Sequence, residues 1–559
     1  MGRKRKNRGK VDHQQHHPIE DDPLTITSSW FGEEIKWVSR HDGLSNIGGG
    51  DGGGSCNNSS CDTNDISEVP ATHQSLTAEL NQLKQQFMPA AQSCADAINN
   101  YNNSSSSITT GTKNKPKKST TPQYEFRQAR SICNPYERLG DVSIRPHRYN
   151  NSKRQRHKDT KSSSSSFQFV NRSAIKLANI DALLGFALTR STTNTENAAT
   201  DKPTDDDVDN ECFAFVDLCG APGGFSEYIL YRHMHPLHHR ISDQKSDDNT
   251  DTTHSIVDGG TNDCDSSTIP CYGFGMSLTG RNDEGKGVRW DLNHLKKHYH
   301  LQINQGLASN NNDATTKDSD ATQINKHNNN KQLLHYHVCR GVDQTGSIYN
   351  WDNVVELQQQ VSIHLSREED VSDNNNNINN NESESTQQHR RVHLVVADGG
   401  FDAQRDSDNQ EVLAHHIVVS QAAAALTLLR KGGTFIVKMF GFHEESTKRM
   451  LRNLYGCFDK MTFVKPTSSR PASAERYLVC CGYDGVGSRW DGLAWKQHQM
   501  DIISTELQNE VYDCSPLDNL ANEFDLDMLK LNVESCGKIV EYLQEKREAV
   551  GEKERAQSD

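Results

Sequence analysis

The chain has 559 residues, of which 33% are hydrophobic and 7% aromatic, and its mean hydropathy is -0.82. Length alone would accommodate about three or four domains, but apolar content this low supports one good core surrounded by polar, unpacked insertion. A membrane-spanning chain is not expected without about 18 consecutive apolar residues, and a net charge of -14 argues against a basic coat over the whole surface.

The first residues, MGRKRKNRGKVDHQQHH, have no apolar run, so no signal peptide is expected. RKRKNRGK reads equally as a nuclear address, an RNA-touching arm or a plain solvated charge run. The acids crowd into stretches such as TDDDVDNE and SDDNTDTT, so the net charge does not exclude a nucleic-acid partner. Residues 1–122 read as a largely disordered region with a basic start. Gly, Ser and Asn fill 44–65, and Ser, Thr and Lys fill 102–121. The folding unit is expected over 123–484. It is interrupted by a serine run at 162–166 and by Asn/Asp/Ser/Thr-rich insertions near 191–210, 241–268, 308–331 and 372–389. Such stretches lack the apolar periodicity that would offset their ordering entropy, and surface loops tolerate long insertions.

Between the insertions, NRSAIKLANIDALLGFAL (171–188) reads as a helix. FAFVD (213–217) reads as a buried strand, and SEYILYRHM as the helix that follows it. CYGFGMSL (271–278), LLHYHV (333–338), HLVVAD (393–398) and TFIVKMF (434–440) are further strands. EVLAHHIVVSQAAAALTLLRKGG (411–433) is the clearest helix, with Arg430 and Lys431 in its last turn and Gly-Gly as its stop. STKRMLRNLYG is another. MTFVKP (461–466) and RYLVCCG (476–482) have no helix between them and read as an antiparallel ending. The alternation predicts an α/β, Rossmann-like sheet, mostly parallel with an antiparallel last strand, helices on both faces and long disordered insertions. Residues 485–559 read as a helical tail for packing or partner contact.

The 14 cysteines follow no disulfide or zinc spacing and are expected to be buried reduced thiols. RHMHPLHHR (232–240) is rich in histidine but irregular, and reads as a polar helix end rather than a metal site. No metal ligands are assigned.

The strand FAFVD runs into LCGAPGGFSEYIL: an acid, Asp217, then glycines at 220, 223 and 224, then a helix. Glycines let backbone approach a ligand closely, and the helix start supplies N–H donors. The pattern differs from the dinucleotide G-x-G-x-x-G. Pro222 removes a donor, which favours a ligand with a zwitterionic head such as the methionine part of S-adenosylmethionine. Four charges also sit where a buried sheet should not have them. Lys176 interrupts SAIKLANI, Asp398 ends HLVVAD, Lys438 lies within TFIVKMF, and Glu475 precedes RYLVCC. Buried charges are costly unless paired, and strand carboxyl ends form the ligand crevice of an open α/β sheet.

DLCGAPGGFSEY, VVADGGFD, GGTFIVKMF and KPTSSRPASAERYLV resemble the FtsJ/RrmJ-type ribose 2′-O-methyltransferases. Within them, ARSICNPYE (129–137), FVNRSAIKLANID (169–181), FGMSLTG (274–280) and RPASAERYLV are most similar to the eukaryotic cap-specific mRNA enzymes of the cap-1 type. The resemblance covers about 124–483 without the insertions. It implies S-adenosylmethionine as methyl donor, the capped 5′ end of mRNA as substrate, and contact with the transcription or capping machinery. It further implies a nuclear location, with the cytoplasm as a second compartment, and no membrane. Its Lys-Asp-Lys-Glu tetrad falls on Lys176, Asp398, Lys438 and Glu475. The cofactor side is implied at Asn171, Asp217, Cys219, Gly220, Ala221, Pro222, Gly223, Gly224, Phe225 and Asp398, with Ser347 and Ile348 on the adenosine loop. Ser347 stands where the family has an acid, with Asp343 and Asp291 as candidate substitutes. Arg130, Asp408, Asn409, Gln410 and Glu475 are implied at the cap or first nucleotides.

For such a reaction Lys438 is the expected base, with Lys176 lowering its pKa, Asp398 orienting it, and Glu475 holding Lys176 or the ribose. Methylation of the second cap nucleotide, or of rRNA or tRNA, is the alternative within the family. A non-catalytic RNA-binding scaffold is the alternative outside it.

Overall fold

A computed structural model describes residues 29–32, 34–40, 71–107, 119–134, 169–189, 212–234, 269–278, 289–299, 302–305, 334–366, 391–400, 409–485 and 513–558. The described strands are β1 (Val38–Ser39), β2 (Phe213–Leu218), β3 (Cys271–Met276), β4 (Gln302–Gln305), β5 (Leu334–Cys339), β6 (Val392–Ala397), β7 (Leu429–Met439), β8 (Phe458–Val464) and β9 (Arg476–Tyr483). The described helices are α1 (Ala71–Ser107), α2 (Pro122–Cys133), α3 (Ser173–Leu183), α4 (Gly224–Met234), α5 (Leu292–Tyr299), α6 (Trp351–Ser366), α7 (Gln410–Leu428), α8 (Glu445–Cys457) and α9 (Ser515–Ser558).

The strands form one sheet in the order β1-β8-β9-β7-β6-β2-β3-β5-β4. Pairing is parallel from β7 through β6, β2, β3 and β5 to β4. β9 then inserts antiparallel between β7 and β8, as the helix-free MTFVKP–RYLVCCG ending predicts. Strand β2 explains why both faces carry helices. Its side chains alternate: Ala214, Val216 and Leu218 join one core with α6, α7 and α8, while Phe213 and Phe215 join another with α3 and α4. Every residue of β2 is buried, and a wholly buried side chain such as Phe215 contributes about 1.5–3 kcal/mol. The described cysteines are all free thiols.

Two expectations need correction. The helix read over 411–433 ends at Leu428, and Arg430 and Lys431 lie in β7 instead of a last helical turn. Leu429 already pairs with Val392 of β6, so the sheet claims the segment. Helix α7 is also apolar enough, at mean hydropathy 1.3, to pass for a membrane span, but 67% of that window is buried in the core. The second correction concerns 1–122, which is not uniformly unstructured. Residues Val38–Ser39 add an antiparallel edge to β8, and 71–107 form a 37-residue helix. Along α1, Leu76, Leu80, Leu83, Phe87, Ala91, Cys94 and Ile98 recur at three- and four-residue steps, and they meet Leu529, Val533, Cys536, Ile539 and Leu543 of α9. That is coiled-coil spacing. His73 with Asp525 and Ser93 with Arg547 show that the two helices run parallel. Helix α2 packs on this pair through Ala129 and Phe126 rather than on the sheet. Lys546 bonds Glu125 Oε2 at 2.6 Å, and Thr120 Oγ1 bonds its Oε1 at 2.6 Å. The insertions near 191–210, 241–268, 308–331 and 372–389 lie outside the described residues, except that 268 borders the lead-in to β3.

Candidate active site

The parallel strands end along one edge, and three of the four anomalous charges meet there. Asp398 follows β6. Lys438 lies near the end of β7. Glu475 directly precedes β9, whose antiparallel course pairs Lys438 with Tyr477 and so brings the start of β9 to the end of β7. Helix α3 covers the sheet face that Ile436 shares, and contributes Lys176. The four side chains form two ion pairs. Lys176 Nζ lies 2.8 Å from Glu475 Oε1 and 2.9 Å from Oε2. Lys438 Nζ lies 3.1 Å from Asp398 Oδ1 and donates to the Asp398 carbonyl at 2.8 Å.

Hydrogen bonds fix the carboxylates. Ser173 Oγ donates to Asp398 Oδ2 at 2.7 Å and the Tyr477 hydroxyl to Oδ1 at 3.0 Å. Ser469 Oγ donates to Glu475 Oε1 at 2.7 Å. Burial opposes the charge of Lys438, but the Asp398 and Glu475 carboxylates outweigh it and hold the ammonium above the usual lysine range. Burial likewise opposes the Asp398 charge, yet Lys438 and Lys176 hold it below the usual carboxylate range. Glu475 is depressed in the same way, with Lys176 the largest cause acting against burial. The expectation that Lys176 lowers the Lys438 pKa is therefore corrected. The Lys176 charge is engaged by Glu475, and the two carboxylates dominate around Lys438.

Sequence reasoning missed Lys465, although the signal was the one that exposed Lys438, a cation ending an apolar strand. Lys465 is wholly buried and donates to the carbonyls of Ser473 at 2.8 Å and Glu475 at 2.5 Å. Burial pushes it well below the lysine range. It ties down the turn that presents Glu475. Ser173, Ser469 and Tyr477 were also missed, since isolated hydroxyls carry no pattern.

The Gly-rich turn joins β2 to α4 beside this cluster. Asp217 is wholly buried. Its Oδ2 accepts from Ser226 N at 3.1 Å and Ser226 Oγ at 2.7 Å, while Oδ1 has no protein partner. Burial, helped by the Asp398 charge, pushes its pKa up to about 7. A Cβ on Gly220 would stand 2.0 Å from that Oδ1, and one on Gly224 2.0 Å from Asn171 Oδ1. Gly223 has φ +111°. Cys219 precedes these glycines, its thiol pushed up to about 11 by burial. Ala221 and Pro222 complete the turn, and the Pro222 carbonyl accepts from Asp291 N at 3.0 Å. Phe225 is buried against Tyr477. Gln421 of α7 is wholly buried and faces Gly399 and the Cys219 thiol. Apart from the Cys219 thiol, its Nε2 and Oε1 have no hydrogen-bond partner. Buried donors and acceptors without full partners at a glycine-rich turn suit a ligand bearing both kinds of group, as an amino-acid head does.

Asn171 accepts from Ser173 N at 2.9 Å and thus begins α3 at this turn. Ser347 donates its N–H to Thr345 Oγ1 at 3.0 Å, and Ile348 is buried. A Cβ on neighbouring Gly346 would meet the Ser277 carbonyl at 2.0 Å, which sets this loop against the end of β3. Asp343, the candidate substitute for the missing acid, lies in the same loop. Asn350, Asn353 and Thr345 all donate to its carboxylate, and the Asn350 bond leads in holding it well below the usual range. Asp291 accepts from His294 N at the start of α5. Among the RNA-side residues, Asn409 and Gln410 begin α7, and Asp408 lies outside the described residues. Arg130 sits in the last turn of α2 near Phe126. The structure puts it in the helical layer, whose contact with Ala472 lies three residues from Glu475. In RHMHPLHHR, the half-buried His233 bonds the Ile229 carbonyl, and 235–240 lie outside the described residues.

The chain was compared with known proteins. The FtsJ-like methyltransferase family matches residues 169–242 and 295–483. A Drosophila melanogaster protein, cap-specific mRNA (nucleoside-2′-O-)-methyltransferase 1, is 25% identical over 414 residues, which are 74% of this chain and 36% of that protein. Its Homo sapiens namesake is 26% identical over 418 residues, 74% of this chain and 35% of that protein. A Caenorhabditis briggsae relative named inactive cap-specific mRNA (nucleoside-2′-O-)-methyltransferase 1B is 23% identical over 425 residues, 75% of this chain and 36% of that one. The chain thus spans about a third of the length of these relatives.

Proposed function

We propose that this chain, an FtsJ-like methyltransferase over residues 169–242 and 295–483, methylates the ribose 2′-oxygen of the first transcribed nucleotide of capped mRNA. The observation that carries the reading is the double ion pair Lys176–Glu475 and Lys438–Asp398 at the strand ends, beside a turn whose buried polar atoms lack partners. The names of the relatives support the capped substrate, and RKRKNRGK supports a nuclear setting.

S-adenosylmethionine would be held by Asn171 and the 217–225 turn, with Gln421 and Asp217 offering their unpaired atoms. It supplies a methyl group already activated on a sulfonium. The protein's task is then the hydroxyl, a poor nucleophile at neutral pH. Asp398, pinned by Ser173 and Tyr477, fixes the direction of Lys438. Lys176, held by Glu475, presents a cation to the hydroxyl oxygen and lowers the cost of its developing negative charge. Lys438 accepts the hydroxyl proton at Nζ once it has lost its own. Because its pKa is raised, that competent form is a minority at neutral pH.

Methyl transfer from radiolabelled S-adenosylmethionine to matched capped and uncapped RNAs tests the reading, with Lys438→Ala alongside. Label on capped RNA only, at the first 2′-oxygen and absent with the variant, is expected. Label on uncapped RNA would redirect the reading to rRNA or tRNA. A non-catalytic scaffold is the second reading, favoured by the likeness to a relative named inactive. It predicts no transfer and no need for cofactor binding.

A further inference from the structure

We propose that His73, His443 and Asp525 form a binding site for a transition-metal dication of the zinc class. The ion would clip the terminal helices α1 and α9 to the sheet. It takes no part in the methyl transfer, and the inference stands without that reading.

The three residues come from distant parts of the sequence. His73 lies in the first turn of α1, His443 in the connection from β7 to α8, and Asp525 in α9. Both imidazoles aim Nε2 at the same oxygen, Asp525 Oδ2, at 2.8 Å for His73 and 2.9 Å for His443. The candidate ligand atoms all lie within 4.8 Å of one another. The rings stand nearly perpendicular, at 77°, with centroids 4.8 Å apart. A tetrahedral zinc with metal–ligand bonds of about 2.0–2.2 Å holds its donors roughly 3.3 Å apart and two imidazole centroids roughly 5 Å apart. Binding would therefore lengthen the two His–Asp separations by about half an ångström and close the widest separation of the set, up to 4.8 Å, by rotation of the half-exposed His443 side chain, exchanging two hydrogen bonds for three coordination bonds. On binding, each imidazole gives up its Nε2 proton, so the ion meets a free lone pair.

The surroundings are those of a built site. Asp525 is 3% exposed. Its other oxygen, Oδ1, is held by Arg476 Nη1 at 2.5 Å, and the Arg476 guanidinium lies 4.8 Å over the Phe442 ring. Pinning one carboxylate oxygen leaves the second oriented toward the ion, as outer partners of metal ligands do. The His443 side chain is 52% exposed, which leaves an entry path and an open fourth position for water. Two imidazoles and one carboxylate favour a borderline ion of the zinc class over calcium or magnesium, which demand mainly oxygen ligands. Arg476 directly follows Glu475, so occupancy would stiffen the start of β9 where the tetrad is assembled.

The test uses the full chain, stripped with a chelator and titrated with zinc(II) by calorimetry and with cobalt(II) by visible absorption. One equivalent bound, with the intense cobalt bands of tetrahedral coordination, is expected. His443→Ala and His73→Ala should each weaken binding by about tenfold or more and remove the zinc-dependent rise in unfolding temperature. His443 is half exposed, so its variant should keep the far-ultraviolet circular dichroism of the parent. No saturable binding would overturn the proposal and leave a hydrogen-bonded His–Asp–His cluster. Undiminished binding in the double histidine variant would overturn it too, by moving the ion to other histidines such as His238 and His239.

Discussion

If Lys176 and Glu475 form one buried, mutually neutralising pair, their substitutions must be strongly non-additive. Glu475→Gln leaves the Lys176 ammonium, with its side chain 8% exposed, without its carboxylate. Breaking a buried pair from one side costs about 3–5 kcal/mol. Lys176→Met should cost less, about 2–3 kcal/mol, because Glu475 keeps Ser469 and still faces Lys438 and Lys465. The double variant holds neither stranded charge and should lose only about 2 kcal/mol, largely from imperfect hydrogen bonding. The coupling energy is then about 3 kcal/mol or more. Urea unfolding of the four proteins at neutral pH measures it from the transition midpoints, provided the slopes agree. A coupling below about 0.5 kcal/mol, the additivity of independent sites, would refute the pairing and with it the reading of these charges as one assembled site.

Three further outcomes follow from the same geometry. Because Lys438 is held above the usual lysine range by Asp398 and Glu475, single-turnover methyl transfer should climb about tenfold per pH unit through the neutral range, and Glu475→Gln should move that climb to lower pH. A flat profile would count against Lys438 as the base. Asp217, raised to about 7, binds its proton more tightly folded than unfolded, so it withdraws stability as pH rises from its unfolded value of 3.8 through 7. The stability difference between Asp217→Asn and the parent should therefore grow in the variant's favour across that window and level off above it, as read by unfolding at stepped pH. Gly224→Ala would put a Cβ 2.0 Å from Asn171 Oδ1 and 3.0 Å from the Ala174 N. The displacement should weaken S-adenosylmethionine binding by about 1–3 kcal/mol, and calorimetry showing parental affinity would place the cofactor elsewhere.

Seven of the nine described strands were legible because each is a short apolar run bounded by polar punctuation, whereas β1 (VS) and β4 (QINQ) carry no such run; the tetrad was legible because three of its charges lie within or beside such runs. Its pairing was expected from the chemistry of the reaction, with Asp398 on Lys438 and Glu475 on Lys176 or the ribose. SAIKLANI alone does not give it, since it depends on which sheet face α3 covers. Asp343 was legible as a candidate substitute for the family's acid, but the three neighbouring donors that hold it within its loop were not. Helix α1 went unread although its three–four spacing is in the sequence, because Gln, Asn and Ser between the apolar positions dilute the mean. Its partner α9 lies more than 400 residues away, and neither face reveals its complement alone. The His73–His443–Asp525 convergence was invisible for the same reason, each residue standing singly in its own segment.

The placement of the long polar stretches follows the chemistry of the sheet. Those at 190–211, 235–268, 306–333 and 367–390 lead in chain order into the amino ends of β2, β3, β5 and β6. The candidate site is built at the opposite edge, from the carboxyl ends of β2, β6 and β7 and the start of antiparallel β9. There the connections 219–223, 440–444 and 465–475 are short. They hold the unpartnered Asp217 oxygen over Gly220, the imidazole of His443, and the turn that Lys465 fastens beneath Glu475. A loop's closure entropy grows slowly with its length, so added length between these elements costs the fold little. The same residues added at 465–475 would release Glu475 from Ser469 and strand Lys176, at the cost of a broken buried pair. Short connections are therefore needed where the tetrad is held, and not where a stretch only joins one element to the next.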